Sequence, residues 1–299
     1  MKYAYADIYT IELPSGHRFP MEKYRRTREL LLAEGTITPA QLLPPILCDR
    51  ETICRAHGEE YIDKVFKGEF NRSDELRLGF PWSPALVTRS RASVGGTLQA
   101  ARHALTSGGG GNFAGGTHHA YADHGEGFCV FNDVAIAIRQ LQFEKLIGTA
   151  AVIDCDVHQG NGTASIFHCD SHIFTLSLHG KNNFPFDKEE STLDVEFDDG
   201  TSDDEYLQAL EPALKQVELF GPDIVFYNAG VDPLEQDQLG RLALTIEGLK
   251  RRDALVLSWA ASHDLPIAIC FGGGYAKEIK DIVESHANTF RLAETLFDR

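Results

Sequence analysis

The sequence of 299 residues lacks the features that identify several common protein classes. Its six cysteines form no C-x-x-C pair, so a structural zinc site made of thiolates is not expected. No apolar run approaches the ~20 residues that span a bilayer, and the N-terminal segment has no apolar core like that of a signal peptide. We therefore expect an intracellular and reducing compartment, by default the cytoplasm, with the nucleus open in a eukaryote.

The cysteines and the glycine-rich segments each support one further prediction. Four cysteines lie in or beside apolar stretches, which predicts buried, reduced thiols at Cys129, Cys155, Cys169 and Cys270. Glycine loops of the forms G-x-x-x-x-G-K-[ST] and G-x-G-x-x-G are missing. The glycine-rich segments of this chain are therefore not expected to cradle a phosphate.

Positive charge is scarce. The chain has 28 Lys and Arg against 44 Asp and Glu, which gives a formal net charge of −16 at pH 7. Such a surface repels nucleic acid and anionic membranes, so we expect no direct binding of nucleic acid. The same charge either attracts cationic partners, such as lysine-rich chains, or only keeps the protein dissolved.

The second half of the chain alternates between two patterns. Short apolar runs rich in β-branched residues predict strands at 149–154, 172–178, 223–228 and 266–271. Helical patterns lie between them at 159–168, 203–220 and 245–263, while the first ninety residues look mostly helical. Strands that alternate with helices predict an α/β fold with a mostly parallel sheet covered on both faces. Since no linker divides the chain, we expect a single domain.

Polar and glycine-rich residues follow each predicted strand. The four segments are D-C-D-V-H at 154–158, S-L-H at 177–179, N-A-G-V-D at 228–232 and G-G-G-Y at 272–275. In open parallel sheets, ligands bind at the carboxyl ends of the strands. The sequence therefore predicts one site assembled from four loops.

A metal site is predicted from three of these residues. Asp156 and His158 are two positions apart and share one face of an extended segment, as does Asp154. Carboxylates and an imidazole suit zinc or a similar divalent ion, and Asp232 is the natural third ligand. Two plainer interpretations stay open, since the first group could be a salt-bridged strand end and Asp232 could be a turn residue.

A proton acceptor is predicted at His118 and His119, which follow a G-G-T segment. Water near a divalent metal has a lowered pKa, so a neighbouring imidazole can take its proton and later deliver it to a leaving amine. Tyr275 follows three glycines, and its hydroxyl could donate to an oxyanion. Lone histidines are more often structural, but two in tandem beside a metal motif favour a function.

Aromatic residues are candidates for the walls of a narrow substrate slot. Gly127 and Phe128 form one candidate wall, and Phe184 or Phe186 forms the other. Each phenylalanine could equally belong to the core.

Together, these segments resemble the histone deacetylase superfamily. The resemblance runs from about residue 16 to about residue 296, and its motifs occur in the family's order. They are H-G-E-E-Y-I at 57–62, G-G-T-H-H-A at 115–120, G-E-G-F-C-V-F-N-D at 125–133, I-D-C-D-V-H-Q-G-N-G at 153–162, Y-N-A-G-V-D at 227–232 and F-G-G-G-Y at 271–275. The resemblance implies one catalytic domain over 1–299 with an eight-stranded, mostly parallel sheet, as in arginases and deacetylases.

The resemblance also implies a role for each matching position. One catalytic zinc ion is implied at Asp156, His158 and Asp232. The resemblance implies His119 as the catalytic base and His118 as its electrostatic partner. It implies Tyr275 as the oxyanion donor, with Asp154 and Asn161 as supporting residues. Some branches have an aspartate where Asn161 stands, so we expect a less basic His119 here.

Further positions match a substrate tunnel and a second ion. Gly127 and Phe128 correspond to the tunnel. A structural potassium ion is implied at Asp154, Asp156, His158, Ser177 and Leu178. The segments G-H-R-F-P-M at 16–21, H-Q-G-N-G at 158–162 and T-S-D-D-E-Y at 201–206 look most like class IV deacetylases and their bacterial relatives.

The expected activity is zinc-dependent hydrolysis of an N-acyl amide, above all of acetyl-lysine or fatty acyl-lysine in proteins. The class IV resemblance makes long acyl chains plausible, and an acetylpolyamine is the main alternative substrate. A non-catalytic acyl-lysine reader is disfavoured because all matching residues are present. A two-metal arginase-like site is disfavoured because Cys155 and Val157 occupy positions where further ligands are needed. The oligomeric state and the metal used in the cell stay open, with Fe(II) or Co(II) as alternatives to zinc.

Overall fold

A computed structural model describes residues 1–297 of the chain. The last two residues of the predicted 1–299 domain therefore lie outside the described residues. The strands are β1 (Tyr3–Ala4), β2 (Leu42–Leu43), β3 (Gly109–Asn112), β4 (Ala150–Asp154), β5 (Ile173–Gly180), β6 (Leu193–Phe197), β7 (Val225–Asn228) and β8 (Ile267–Cys270). The helices are α1 (Glu22–Ala33), α2 (Arg50–Ile53), α3 (Glu59–Lys67), α4 (Arg72–Leu78), α5 (Pro84–Ser107), α6 (Asp133–Phe143), α7 (Asn161–Ile166), α8 (Asp203–Phe220), α9 (Ile246–Ser262) and α10 (Ile279–Phe297).

The eight strands form one sheet in the order β2-β1-β3-β8-β7-β4-β5-β6. Every pairing between these strands is parallel. The predicted α/β fold with an eight-stranded sheet is therefore confirmed, and the sheet is wholly rather than mostly parallel. All four strands expected from apolar runs are present, whereas β1, β2, β3 and β6 were not recognised because they are short or lack apolar runs.

Apolar side chains cover both faces of the sheet. In β4, Ala150 and Val152 belong to a cluster with side chains of α5 and α6. The alternate residues Ala151 and Ile153 belong to a larger cluster with side chains of α8, α9 and α10. Because successive side chains of a strand point to opposite faces, this alternation places helices on both sides, as predicted.

The glycine run at 108–111 forms most of β3. It has no side chains that could show a hydrophobic pattern in the sequence. A Cβ atom at Gly110 would collide with the backbone carbonyl of Ala100 in α5. Gly110 is therefore glycine because a helix approaches the strand closely, and this strand leads into the tandem histidines.

Three local predictions need correction. Cys169 is exposed and has a left-handed backbone (φ 62°), although its apolar neighbours predicted a buried thiol. The extended segment predicted through Asp156 and His158 ends at Asp154, and a bent loop carries the next residues. The helix predicted at 159–168 is shortened to α7. Among residues 1–297, no helix is both long and apolar enough to cross a membrane.

Candidate metal centre and active site

Four neighbouring strands deliver the candidate residues to one edge of the sheet. The loops after β3, β8, β7 and β4 carry the tandem histidines, Tyr275, Asp232 and the Asp156–His158 pair, respectively. The sequence analysis also predicted one site from four loops, but it counted the segment of β5 among them in place of the loop after β3. Ser177 and Leu178 lie within β5 and do not line the cavity at this edge.

Asp156, His158 and Asp232 form a buried group whose ligand atoms lie within 4.8 Å of one another. His158 Nδ1 lies 2.9 Å from Asp156 Oδ1 and 3.2 Å from Asp232 Oδ2. The structure therefore brings together the three residues predicted as ligands, even though the loop that carries two of them is not a strand.

Backbone groups fix both carboxylates. The amide of Gly273 donates to Asp156 Oδ2 at 2.8 Å, and the amide of Val157 donates to Asp232 Oδ1 at 2.9 Å. Asp232 Oδ2 is buried and has no hydrogen-bond donor among residues 1–297. A buried carboxylate oxygen without a donor is costly unless a cation faces it, so the group fits a divalent ion.

The electrostatics of this group point the same way. Burial raises the pKa of Asp232 to about 7, and the charge of Asp156 adds to the rise. Burial alone would lower the pKa of His158, but its hydrogen bond to Asp156 and the charges of both carboxylates outweigh burial and raise that pKa to about 10. Ligands bind a metal in their deprotonated forms, so protons and a cation compete for these side chains.

His118 is held by Asp154 behind it. The distance from His118 Nδ1 to Asp154 Oδ2 is 2.5 Å, and both side chains are buried. Burial alone would lower the pKa of His118, but Asp154 and then Asp156 outweigh it and raise the pKa to about 9. His118 is therefore a cation near neutral pH and suits an electrostatic role better than that of a base.

His119 differs from its neighbour. Its Nδ1 lies 2.7 Å from Asn161 Oδ1, so the ring is oriented by a neutral amide. Burial, followed by the charges of His118 and His158, lowers the pKa of His119 well below its usual value. The imidazole is therefore neutral near pH 7 and able to accept a proton. The hydrogen bond to Asn161 acts the other way and raises this pKa, so the predicted effect of asparagine in place of aspartate stays a prediction.

The loop that carries the histidines is tied down by Asp133. Its carboxylate accepts hydrogen bonds from the amides of Gly116 and Thr117 at 3.1 and 2.7 Å. Thr117 Oγ1 also donates to this carboxylate at 2.6 Å. Asp133 lies in the G-E-G-F-C-V-F-N-D motif, but its contact with the loop could not be inferred from the sequence.

Tyr275 is positioned by Asp237, which the sequence analysis missed. The amide of Tyr275 donates to Asp237 Oδ2 at 2.6 Å, and the other carboxylate oxygen accepts from the amides of Leu239 and Gly240. Burial, followed by Asp156 and Asp232, raises the pKa of Tyr275 well above its usual value. Its hydroxyl therefore keeps its proton and can act as a donor.

Two cavities share several of the candidate residues as lining. A small inner cavity of about 30 Å³ and an outer cavity of about 280 Å³ are both lined by His119, His158 and Tyr275. Gly127 and Phe128 also line both cavities, and Phe184 and Phe186 line the outer one. The predicted walls are therefore next to the metal group.

The walls contact the reactive residues closely. The ring of Phe184 meets the ring of His119 edge-on, with centroids 5.0 Å apart. Gly127 has φ 52°, and a Cβ atom there would lie 2.5 Å from the His119 ring. The ring centroid of Phe128 lies 5.9 Å from that of Tyr275. A slim chain can therefore approach the metal group between these aromatic rings.

Two fully buried cations were also missed by the sequence analysis. Lys23 is fully buried, and its Nζ donates to the carbonyl of Gly272 at 3.0 Å. Arg252 is fully buried, and its Nη1 donates to the carbonyls of Cys155 and Gly230 at 3.2 and 2.6 Å. Both lie in amphipathic helical segments, where lysine and arginine usually face solvent, so their burial could not be inferred from the sequence.

The segments of the implied potassium site lie side by side. Asp154 and Ser177 are partners in the parallel pairing of β4 with β5. Ser177 Oγ lies 2.9 Å from His179 Nδ1. This placement brings together the ends of two strands, and the potassium ion stays a prediction.

Comparisons with known sequences give a consistent result. A family model described as the histone deacetylase domain matches residues 17–290. The chain is 44% identical to an uncharacterised protein of Picosynechococcus sp. over 98% of both chains. It is 30% identical to histone deacetylase 2 of Arabidopsis thaliana over 93% of this chain and 74% of that protein.

Solved structures share the fold. An HDAC homologue complexed with SAHA has a TM-score of 0.81 at 24% identity, with 98% of this chain and 83% of that chain covered. Acetylpolyamine aminohydrolase from Burkholderia pseudomallei has a TM-score of 0.81 at 20% identity, with 99% of each chain covered. The parallel eight-stranded sheet of this chain is thus an arrangement that known proteins adopt.

Proposed function

Because the chain belongs to the histone deacetylase family, we propose that it hydrolyses the amide bond of short-chain Nε-acyl-lysine, above all acetyl-lysine. The products are a carboxylate and a free amine. One observation carries the proposal: the buried Asp156–His158–Asp232 group, a neutral His119 and a protonated Tyr275 surround one slot lined with aromatic rings.

The chain's own residues supply most of the chemistry. His119 accepts a proton from the attacking water and returns it to the leaving amine. The hydroxyl of Tyr275 donates to the carbonyl oxygen as negative charge develops there. His118, held by Asp154, contributes positive charge beside the site. Asn161 is a positioning residue that orients the ring of His119.

We propose zinc as the ion of the Asp156–His158–Asp232 group and potassium as a structural ion near Asp154. A bound zinc ion supplies Lewis acidity toward the carbonyl oxygen and lowers the pKa of water. Three protein ligands leave a fourth position open, which is typical of catalytic rather than structural zinc. The donorless oxygen of Asp232 is the observation that supports a cation in this group.

We expect the zinc-loaded protein to release acetate from a peptide that contains Nε-acetyl-lysine. Treatment with a chelator should reduce the rate to background, and added zinc should restore it, because the three buried ligands leave the carbonyl unpolarised without an ion. The Asp232→Asn variant, which removes one ligand charge at constant size, should stay inactive after zinc is added. Acetate release that survives chelation would contradict the metal site, and no release from any N-acyl amine would contradict the hydrolysis.

The size of the inner cavity favours short acyl groups. A peptide enters through the outer cavity, so the acyl end of the lysine points inward, beyond His158 and Tyr275. The inner cavity holds about 30 Å³, which is room for roughly two waters at ~10–15 Å³ each. We therefore prefer acetyl over the long acyl chains suggested by the class IV resemblance.

Lengthening the acyl group on one peptide should lower kcat/KM steeply. Each methylene that the inner cavity cannot hold is expected to cost about 1–3 kcal/mol, so hexanoyl-lysine should react at least tenfold more slowly than acetyl-lysine. Initial rates on acetyl, butyryl, hexanoyl and myristoyl peptides of identical sequence check this. A myristoyl peptide that reacts as fast as the acetyl peptide would refute the size argument while leaving hydrolysis itself intact.

We also place the protein near the class IV branch and in the cytoplasm. The first proposal is supported by the segments at 16–21, 158–162 and 201–206. The second is supported by the six cysteines, all of which are free.

A further inference from the structure

Three arginines surround the mouth of the active site. Arg18, Arg77 and Arg241 line the outer cavity, and no carboxylate does so among residues 1–297. The whole chain has 44 acidic against 28 basic residues, so a mouth with three cations and no anion is the reverse of what composition predicts. We refer to these three residues as the arginine rim.

Two of the rim arginines have backbones that are anchored beside the predicted wall of the slot. The carbonyl of Arg77 accepts a hydrogen bond from the amide of Gly127 at 3.2 Å. Arg18 is flanked by His17, whose ring stacks on Phe80, and by Phe19, whose ring contacts Phe128. Their backbones are therefore fixed relative to the slot, although their side chains are exposed.

The third rim arginine comes from a separate segment. The carbonyl of Arg241 accepts from the amide of Gly200 at 2.8 Å. The preceding residue, Gly240, donates to Asp237, the same carboxylate that positions Tyr275. Three unconnected segments thus bring a guanidinium group to one mouth, which is not a consequence of a single basic stretch of sequence.

The rim is only weakly neutralised. Arg77 lies 3.4 Å from Asp74, and Arg241 lies 3.3 Å from Asp199, with arginine side chains that are 42% and 53% exposed. Arg18 has no carboxylate within 4.0 Å in the part of the chain that the structure describes. Exposed pairs of this kind are worth about 0–1 kcal/mol, so all three guanidinium groups can turn toward a ligand.

We propose that the arginine rim selects substrates that carry a carboxylate close to the acylated amine, such as an acetyl-lysine flanked by acidic residues. Guanidinium groups match carboxylates in geometry and charge. The same three charges repel polyamines and lysine-rich peptides, which the net charge of the whole chain would attract. This inference rests on the proposed function, because it concerns the substrate of the same site.

The first experiment compares acetyl-lysine peptides of equal length with Glu, Gln or Lys at the flanking positions. We expect kcat/KM to decrease from the Glu peptide to the Gln peptide to the Lys peptide. The Glu and Lys peptides should differ about tenfold in kcat/KM, because three weak surface charge interactions together provide a free-energy difference of this size. Raising ionic strength should shrink this ratio because exposed charges are screened. Equal rates, or faster cleavage of the Lys peptide, would overturn the proposal.

Small substrates distinguish a carboxylate on the acylated amino acid itself from the carboxylates of neighbouring residues in a protein. Nα-blocked acetyl-lysine with a free carboxylate is compared with its carboxamide and with monoacetylcadaverine. A preference for the free carboxylate of at least threefold indicates that a single small N-acyl amino acid suffices, whereas a charge preference seen only in peptides indicates an acidic protein segment. Monoacetylcadaverine as the best substrate would overturn the proposal.

Variants of the rim test the location of the effect. Arg18→Gln, Arg77→Gln and Arg241→Gln are combined in one protein, and the control removes three exposed arginines elsewhere, namely Arg26, Arg102 and Arg251. Both proteins lose the same charge, but only the rim variant should lose the Glu-over-Lys ranking. A ranking that survives in the rim variant would overturn the proposal. Absence of turnover on every peptide by the zinc-loaded wild type would instead count against the proposed function.

Discussion

Replacing His119 with alanine should lower kcat for an acetyl-lysine peptide by roughly 10²–10⁴-fold, the usual contribution of a general acid–base group. His119 lines both cavities and lies outside the Asp156–His158–Asp232 group. The variant should therefore bind zinc as the wild type does. Metal content and the thermal unfolding midpoint, measured on the same samples, distinguish a lost proton acceptor from a damaged site.

The pH dependence follows from the state of His119. Its pKa is lowered well below the usual value, first by burial. A base must be deprotonated to act, so wild-type activity should persist below pH 6.5 and disappear as the pH falls through this lowered pKa. His172→Ala is a matched control, because the side chain of His172 is 68% exposed. An H119A variant that keeps more than a tenth of the wild-type kcat would remove His119 from its assigned role.

The second large effect is expected at Arg252, where substitution by methionine should lower the free energy of unfolding by about 3–5 kcal/mol. Arg252 is fully buried, and two of its nitrogens donate to Asp253 Oδ1 at 2.9 and 2.7 Å. The variant leaves that carboxylate buried without its cation. Hydroxyl donors from Tyr227 and Thr289 remain on Asp253 but bring no charge.

Zinc affinity should fall with the same substitution, by roughly 10–100-fold. Arg252 Nη1 bridges the carbonyl of Cys155, which precedes Asp156, and the carbonyl of Gly230, two residues before Asp232. One guanidinium thus fixes the spacing between two loops that supply metal ligands. Arg252 is accordingly a positioning residue.

Urea unfolding and competition with a zinc chelator measure the two effects separately. Arg252→Lys should keep much of the stability but bind zinc more weakly, because one ammonium replaces three nitrogens, of which Nε and Nη2 hold Asp253 while Nη1 holds both carbonyls. Arg251→Met is the matched control, since Arg251 is adjacent in sequence but half exposed and, among residues 1–297, pairs only with Asp204. If the two methionine variants behaved alike, the bridging role of Arg252 would be disproved.

Much of the site could be predicted from the sequence because its residues lie directly after strands. Asp156, His158 and Asp232 stand at fixed short distances from β4 and β7, so a parallel sheet brings them to one edge. The strand β3, by contrast, consists of glycines and an asparagine and shows no hydrophobic pattern. The loop of the tandem histidines was therefore recognised by its motif and not by its strand.

The supporting contacts could not be predicted, since they join residues far apart in the chain. Asp133 binds the histidine loop, Asp237 binds the amide of Tyr275, and Arg252 binds two ligand loops. The exposure of Cys169 could not be predicted either, because apolar neighbours in sequence do not determine which way a turn faces. The contacts of Asp133, Asp237 and Arg252 all depend on how distant segments pack together at the edge of the sheet.

The sequence by itself determined the family motifs, the metal-binding residue types and the alternation of strands and helices that makes a parallel sheet. These features are local, since side-chain chemistry and hydrophobic period are written in short segments. The tertiary structure alone decided the small inner cavity and the arginine rim, because Arg18, Arg77 and Arg241 meet only after three distant segments fold together. The net charge of the whole chain left a cationic partner or solubility alone as open interpretations, whereas the three arginines at the mouth support the anionic substrate proposed above.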